Sequence, residues 1–193
     1  MVKIKMKLGK RNVTAILVLI TIFGIVVLGV LNYYFLIPKP ITTWDYFGNT
    51  LVFRVDLREA NKVPVYPHET GVYLDVVNPL VKNITIAFKP AGDKENPYYQ
   101  LEIIELVMKL KQYVYDRKEI PVEFNAVPIE SYENLPGKIQ NPIIALVHPI
   151  YANETAIRNA GHVTTISGKT YNEFDLAVAK FLMVALGIEL VNE

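Results

Sequence analysis

Residues 142–147, Pro-Ile-Ile-Ala-Leu-Val, form a short, unbroken apolar run that begins at a proline. An amphipathic strand alternates apolar and polar side chains, whereas a strand buried on both faces is apolar throughout. This run therefore predicts a central strand of a sheet that is covered on both faces.

Several other segments resemble strands, because they are rich in β-branched and aromatic residues or alternate in polarity. They are Leu51–Leu57, Val72–Val77, Ile84–Phe88, Val122–Ile129 and His162–Ser167. Residues 58–71 contain two prolines and a glycine, which predicts a loop, and Asn153–Asn159 is predicted as a short helix. Strands that alternate with helices predict an α/β domain over residues 51–193, with a mixed, partly parallel sheet.

Tyr98–Arg117 has the spacing of an amphipathic helix. Its apolar positions include Leu101, Ile104 and Val107 or Met108, which lie three or four residues apart and so share one face. We predict that this face packs on the sheet.

A final helix is predicted between Thr170 and Gly187. Thr170 and Glu173 have the spacing of a capping box, and glycine is the residue that most often ends a helix. The helix is apolar nearly all round, but its run of about 13 residues is too short to cross a bilayer. It is therefore predicted to be buried in the core.

The longest apolar run is near the start of the chain, at Val13–Leu31, and contains no charged residue. Extended to residue 37, a helix of this length can cross a hydrocarbon core of about 30 Å. The preceding residues are basic and include no acidic residue, so the positive-inside rule places them in the cytoplasm. A cleaved secretory signal is the alternative, although the run is longer than a usual signal core.

These features predict a single-pass signal-anchor protein of the cell membrane. Its parts would be a cytoplasmic tail at 1–12, a transmembrane helix at 13–37, a juxtamembrane linker at 38–50 and an extracytoplasmic α/β domain at 51–193. After Lys39 the chain has fourteen basic residues against nineteen acidic ones. Since no basic and aromatic cluster stands out there, nucleic acid is not an expected partner.

The segment PIIALVHPIYANETA, residues 142–156, resembles strand-turn segments of archaeal surface-layer and cell-envelope proteins. His148 stands where those segments have a glycine. The resemblance implies a role in the cell envelope and identifies no functional residue.

The sequence has no cysteine, which excludes disulfides, thiolate metal sites and cysteine nucleophiles. Neither of the usual glycine-rich phosphate-binding motifs is present, and the three histidines have no metal-ligand spacing. We therefore expect no cofactor and no metal.

Four residues are candidates for catalysis. His148 follows the predicted central strand, at the carboxyl end where α/β domains tend to bind ligands. His68 and Glu69 would form a carboxylate–imidazole site with Asp56 if the loop between them folded over the sheet. Asn83 and Asn153 begin sequons and are candidates for glycosylation.

Two hypotheses on function remain. The first is a non-catalytic binding or scaffolding module of a cell-envelope or membrane assembly. It would contact the lipid bilayer through residues 13–37 and would bind a protein partner, or another copy of itself, through the outer domain. The alternative is a membrane-tethered, hydrolase-like enzyme that uses His148 or His68 with nearby carboxylates.

Overall fold

The apolar run at 142–147 forms an interior strand of a six-stranded sheet. The computed structural model describes residues 42–92 and 96–190, and the strand covers Ile143–Val147, with all five residues buried. Ile144 and Leu146 belong to the main core, whereas Ile143 and Ala145 belong to a second cluster on the opposite face. The prediction of a central strand covered on both faces is confirmed.

The described residues contain the following elements. The strands are β1 Thr42–Tyr46, β2 Asn49–Phe53, β3 Val65–Tyr66, β4 Asn83–Phe88, β5 Glu123–Pro128, β6 Ile143–Val147, β7 Ala156–Ala160 and β8 Val163–Ser167. The α-helices are α1 Leu57–Ala60, α2 Glu69–Val77, α3 Asn96–Leu110 and α4 Tyr171–Leu186. A π-helical turn, Lys111–Tyr115, and a 3₁₀ turn, Asp116–Lys118, continue α3.

The large sheet has the strand order β3-β7-β8-β6-β4-β5. The β7–β8 pair is antiparallel and the other four pairs are parallel. The chain therefore contains an α/β domain with a mixed, mostly parallel sheet. β1 and β2 form a separate two-stranded antiparallel sheet.

The membrane part of the predicted fold class is corrected by the structure. Among the described residues, no helix is both long enough and apolar enough to cross a membrane. This finding contradicts the single-pass architecture, the signal-anchor and the membrane localisation predicted from the sequence. The segment on which that prediction rested, residues 13–37, lies outside the described residues.

The final helix is a core element, as predicted. Most residues of α4 are buried, including Phe174, Phe181 and Leu182 at 0% exposure. The Thr170 side chain accepts a hydrogen bond from the Glu173 backbone N–H, and Gly187 ends the helix at a φ of 67°. Both predicted caps are therefore confirmed.

Three segments were assigned the wrong local structure, and the first is residues 58–71, predicted as a loop, which contain most of α1, strand β3 and the start of α2. Val72–Val77 was predicted as a strand but belongs to helix α2, because Val72 and Val76, one turn apart, are both buried while the residues between them are less so. Asn153–Asn159 was predicted as a helix, yet β7 begins at Ala156 and pairs with β8. The turn between these strands is Gly161-His162, with positive φ at both residues, which is the geometry of a tight hairpin.

The stretch predicted as a linker, residues 38–50, contains β1 and the start of β2. Phe47 and Gly48 form the hairpin turn, with φ values of 52° and 81°. On β2, Leu51 and Phe53 point into the core while Thr50 and Val52 are exposed. The hairpin is therefore an amphipathic part of the domain.

Candidate binding groove

Helix α3 presents an apolar face to solvent. Leu101, Ile104 and Met108, which the sequence predicted to pack on the sheet, are 46%, 54% and 61% exposed. The buried face instead carries Glu102, Leu106 and Leu110, spaced four residues apart. Because α3 has apolar residues on both faces, its periodicity did not determine which face is buried.

A buried ion pair accounts for the orientation of α3. Glu102 is 1% exposed, and its carboxylate accepts a hydrogen bond from the Arg54 guanidinium. The same guanidinium lies 2.6 Å from Oε2 of Glu105. Arg54 directly follows β2, so these contacts fix α3 beside the β1–β2 hairpin and turn Glu102 inward. Burial raises the pKa of Glu102 to about 7, although Arg54 opposes that rise.

Between β2 and the exposed face of α3 there is a groove of about 340 Å³. We call it the β2–α3 groove. Its lining residues are Thr50, Leu51, Val52, Leu101, Ile104, Glu105, Met108, Lys109, Gln112 and Tyr113. One wall is therefore a strand edge, and the other is mainly apolar helix.

The strand wall offers unpaired backbone groups to the groove. Within the described residues, β2 pairs with β1 alone. Tyr46 and Asn49 flank a two-residue turn, so they form a hydrogen-bonded pair of residues. The next pair along the two strands, Asp45 and Thr50, is a non-hydrogen-bonded pair. The alternation makes Thr50 and Val52 the residues whose N–H and C=O groups point away from β1, and both residues line the groove.

The groove has the length of a short strand. From Leu101 to Gln112 a helix rises about 16 Å at 1.5 Å per residue. An extended chain covers about 3.3 Å per residue, so about five residues fit along this wall.

The charged residues of the groove already have partners. The Lys109 ammonium forms an ion pair with Glu105, and it also lies 4.3 Å from the centre of the Phe53 ring. Since these charges compensate each other, the groove favours an uncharged, apolar segment.

His148, the first of the predicted catalytic candidates, is completely buried. Its ring packs edge-on against Tyr171 with 5.3 Å between ring centres, and its Nδ1 accepts a hydrogen bond from the backbone N–H of Ile150. It therefore shapes the turn after β6.

The other three candidates have structural contacts near helix starts. Asp56 and His68 are the N-caps of α1 and α2 and accept backbone N–H groups two residues further on. Glu69 lies 2.6 Å from the Lys180 ammonium. None of the four candidates lines the β2–α3 groove or either of two other cavities in the described part of the chain. The hydrolase alternative stays a prediction.

Sequence reasoning missed a polar network between α2 and the β7–β8 hairpin. Asp75 accepts a hydrogen bond from Asn159 and contacts Nδ1 of His162 at 2.6 Å. Asn159 also donates to the buried Thr164 hydroxyl. Asp75 is far from the other residues in the sequence. The Gly-His hairpin turn was the one local signal that could have predicted part of this network.

The two candidate glycosylation sites differ in position. Asn153 is exposed in the connection before β7, whereas Asn83 is half-buried at the start of β4. Glycosylation of either residue stays a prediction. Among the described residues no cluster of three potential ligands could hold a metal ion.

Comparison of the chain with protein-family models, curated proteins and solved structures finds no match. The resemblance of residues 142–156 to archaeal envelope proteins therefore stays a prediction.

Proposed function

We propose that this domain is a non-catalytic binding module that takes an extended, apolar segment of a partner protein into the β2–α3 groove. The observation that carries the proposal is the placement of an open strand edge next to the exposed apolar face of α3. An added strand would satisfy the outward backbone groups of Thr50 and Val52. Its alternate side chains would cover the apolar wall.

The two walls supply different parts of the recognition. Backbone hydrogen bonds to an edge strand give affinity without regard to sequence, whereas pockets for alternate side chains give specificity. The exposed Leu101, Ile104 and Met108 side chains would leave water when they are covered, which is the main source of free energy in such contacts. A bound helix fits this groove less well, because it leaves the β2 backbone groups unpaired.

The proposal is tested by selecting displayed heptapeptides on the full chain. We expect the selected sequences to have apolar residues at alternate positions. One selected peptide is then synthesised, and its dissociation constant is measured by calorimetry. Replacement of Ile104 by Asp should raise that constant at least tenfold, because the change puts a charge in the apolar wall.

Ile150 provides a matched control, since it is 56% exposed and does not line the groove. Ile150→Asp should change the dissociation constant by less than twofold. The proposal is overturned if the peptides show no alternation or if Ile104→Asp binds as well as the wild type. It is also overturned if Ile104→Asp converts a dimer to a monomer without changing peptide affinity, because the occupant would then be a second copy.

A further inference from the structure

A second and larger cavity, of about 500 Å³, shares Tyr113 with the β2–α3 groove. We call it the Arg117 pocket. It is lined by Tyr46, Phe47, Tyr73, Val77, Tyr113, Val114, Arg117, Lys118, Ala185, Leu186 and Gly187. Its volume falls in the range of small-molecule sites, about 300–1,000 Å³.

Aromatic rings form much of the wall of this pocket. Tyr46 packs edge-on against Phe47 at 4.8 Å and against Tyr113 at 5.9 Å between ring centres. The Tyr46 hydroxyl donates to the Leu186 carbonyl at 2.9 Å, which ties the hairpin to the end of α4. Phe47 is 70% exposed at the turn, so its ring stands at the rim.

The charge of the pocket is positive. Arg117 and Lys118 line it, and no Asp or Glu does. Within the described residues, neither cation forms an ion pair with a carboxylate. The Arg117 guanidinium lies 3.3 Å from the centre of the Phe47 ring and 5.7 Å from that of Tyr46. An anion can therefore approach a cation that the aromatic rings hold in place.

The end of α4 makes the distribution of charge in the pocket uneven. The carboxyl end of a helix carries a partial negative charge, so the region of Leu186 and Gly187 disfavours an anion. The cationic residues of the 3₁₀ turn, Arg117 and Lys118, favour one. A ligand with one flat apolar end and one anionic end would match this distribution.

We propose that the Arg117 pocket binds a small planar aromatic anion, a ring system that carries a carboxylate or a phosphate. The ring lies against Tyr73 and Tyr113, which offer flat apolar surface at little cost in conformational freedom. The anionic group contacts the guanidinium of Arg117 and the ammonium of Lys118. This site has Tyr113 alone in common with the lining of the β2–α3 groove and does not depend on the function proposed for the groove.

The test measures binding of indole-3-acetate and AMP to the full chain by calorimetry, together with their uncharged counterparts indole and adenosine and with inorganic phosphate. At least one of the two aromatic anions should bind tenfold more tightly than its uncharged counterpart and than phosphate. Arg117→Gln should weaken that binding at least tenfold, and Tyr73→Leu should weaken it severalfold.

Two controls separate this site from other effects. Arg58→Gln changes an exposed arginine outside the pocket, and Ile104→Asp changes the groove, so each should leave probe binding within twofold of the wild type. Circular dichroism checks that Arg117→Gln is folded, as its exposed position leads us to expect. The proposal is overturned if the anions bind no better than the uncharged probes or if Arg117→Gln binds them as well as the wild type.

Discussion

Oδ1 of Asp75 lies 2.6 Å from Nδ1 of His162, and this contact joins helix α2 to the turn of the β7–β8 hairpin. The Asp75 side chain is 11% exposed, and its second oxygen accepts a hydrogen bond from Asn159 at 2.7 Å. One carboxylate therefore provides acceptors for two residues of the hairpin. Its removal would leave both of them without that acceptor.

Asp75→Ala should lower the free energy of unfolding of the full chain by about 1–3 kcal/mol, because partly buried donors lose their acceptor. Urea denaturation measures the change. Glu130→Ala, which removes an exposed carboxylate, should change stability by less than about 0.5 kcal/mol. Equal effects of the two variants would show that the network does not stabilise the fold.

Glu102 should make stability depend on pH. Burial raises the pKa of this carboxyl from its ordinary value of 4.5 to about 7 in the folded state. Between these two values the folded state binds more protons than the unfolded state. The contribution of Glu102 to the free energy of unfolding therefore falls as the pH rises from about 4.5 to 7.

The variant Glu102→Gln isolates this effect, because glutamine stays neutral. Between pH 5 and pH 8, its free energy of unfolding should rise by on the order of 1–3 kcal/mol relative to that of the wild type. Urea denaturation of both proteins at each pH measures the difference. A difference that is constant over this interval, or that moves in favour of the wild type, would contradict the prediction.

Because α4 is buried, replacing a leucine of this helix by alanine should destabilise the protein much more than replacing an exposed leucine. Leu182 is 0% exposed in α4, whereas Leu80 is 54% exposed between α2 and β4. Leu182→Ala should cost about 2–5 kcal/mol, because it removes buried methyl groups and leaves a cavity. Leu80→Ala should cost less than about 0.5 kcal/mol in the same denaturation experiment.

The sequence was most informative where one physical requirement dominated. The apolar run at Ile143–Val147 has no polar side to expose, so its place in the interior of the sheet was predictable. Helix α4 had in addition a cap at Thr170 and a terminating glycine at Gly187, and its burial and both caps were predicted. In both elements the local signals and the tertiary packing agree.

The sequence failed where tertiary contacts choose between local alternatives. The β-branched residues of α2 suggested a strand, but Val72 and Val76 are buried as neighbours on one helical face. In α3 the buried face was assigned wrongly, because a buried glutamate paired with Arg54 outweighs the more apolar stripe at Leu101. The groove exists because of that reversal, so the sequence could not have indicated it.

The hydrogen-bond register of β2 gives the last prediction. The Asn49 N–H faces β1, in the pair that closes the hairpin, whereas the Thr50 N–H faces the open edge. Both residues are exposed, so proline substitutions at these positions differ chiefly in the backbone bond that they remove. Proline is tolerated at an edge whose N–H points away from the partner strand.

Thr50→Pro should therefore retain a folded hairpin, and its free energy of unfolding should exceed that of Asn49→Pro by at least about 1 kcal/mol, roughly one backbone hydrogen bond. Because it also removes a donor from the groove, Thr50→Pro should bind the selected peptide at least fivefold more weakly than the wild type. Denaturation and calorimetry on the full chain measure the two effects. If Thr50→Pro is the less stable variant, the assignment of the Thr50 N–H to the open edge of β2 is wrong. If it is stable and binds the peptide as tightly as the wild type does, strand addition at β2 is excluded.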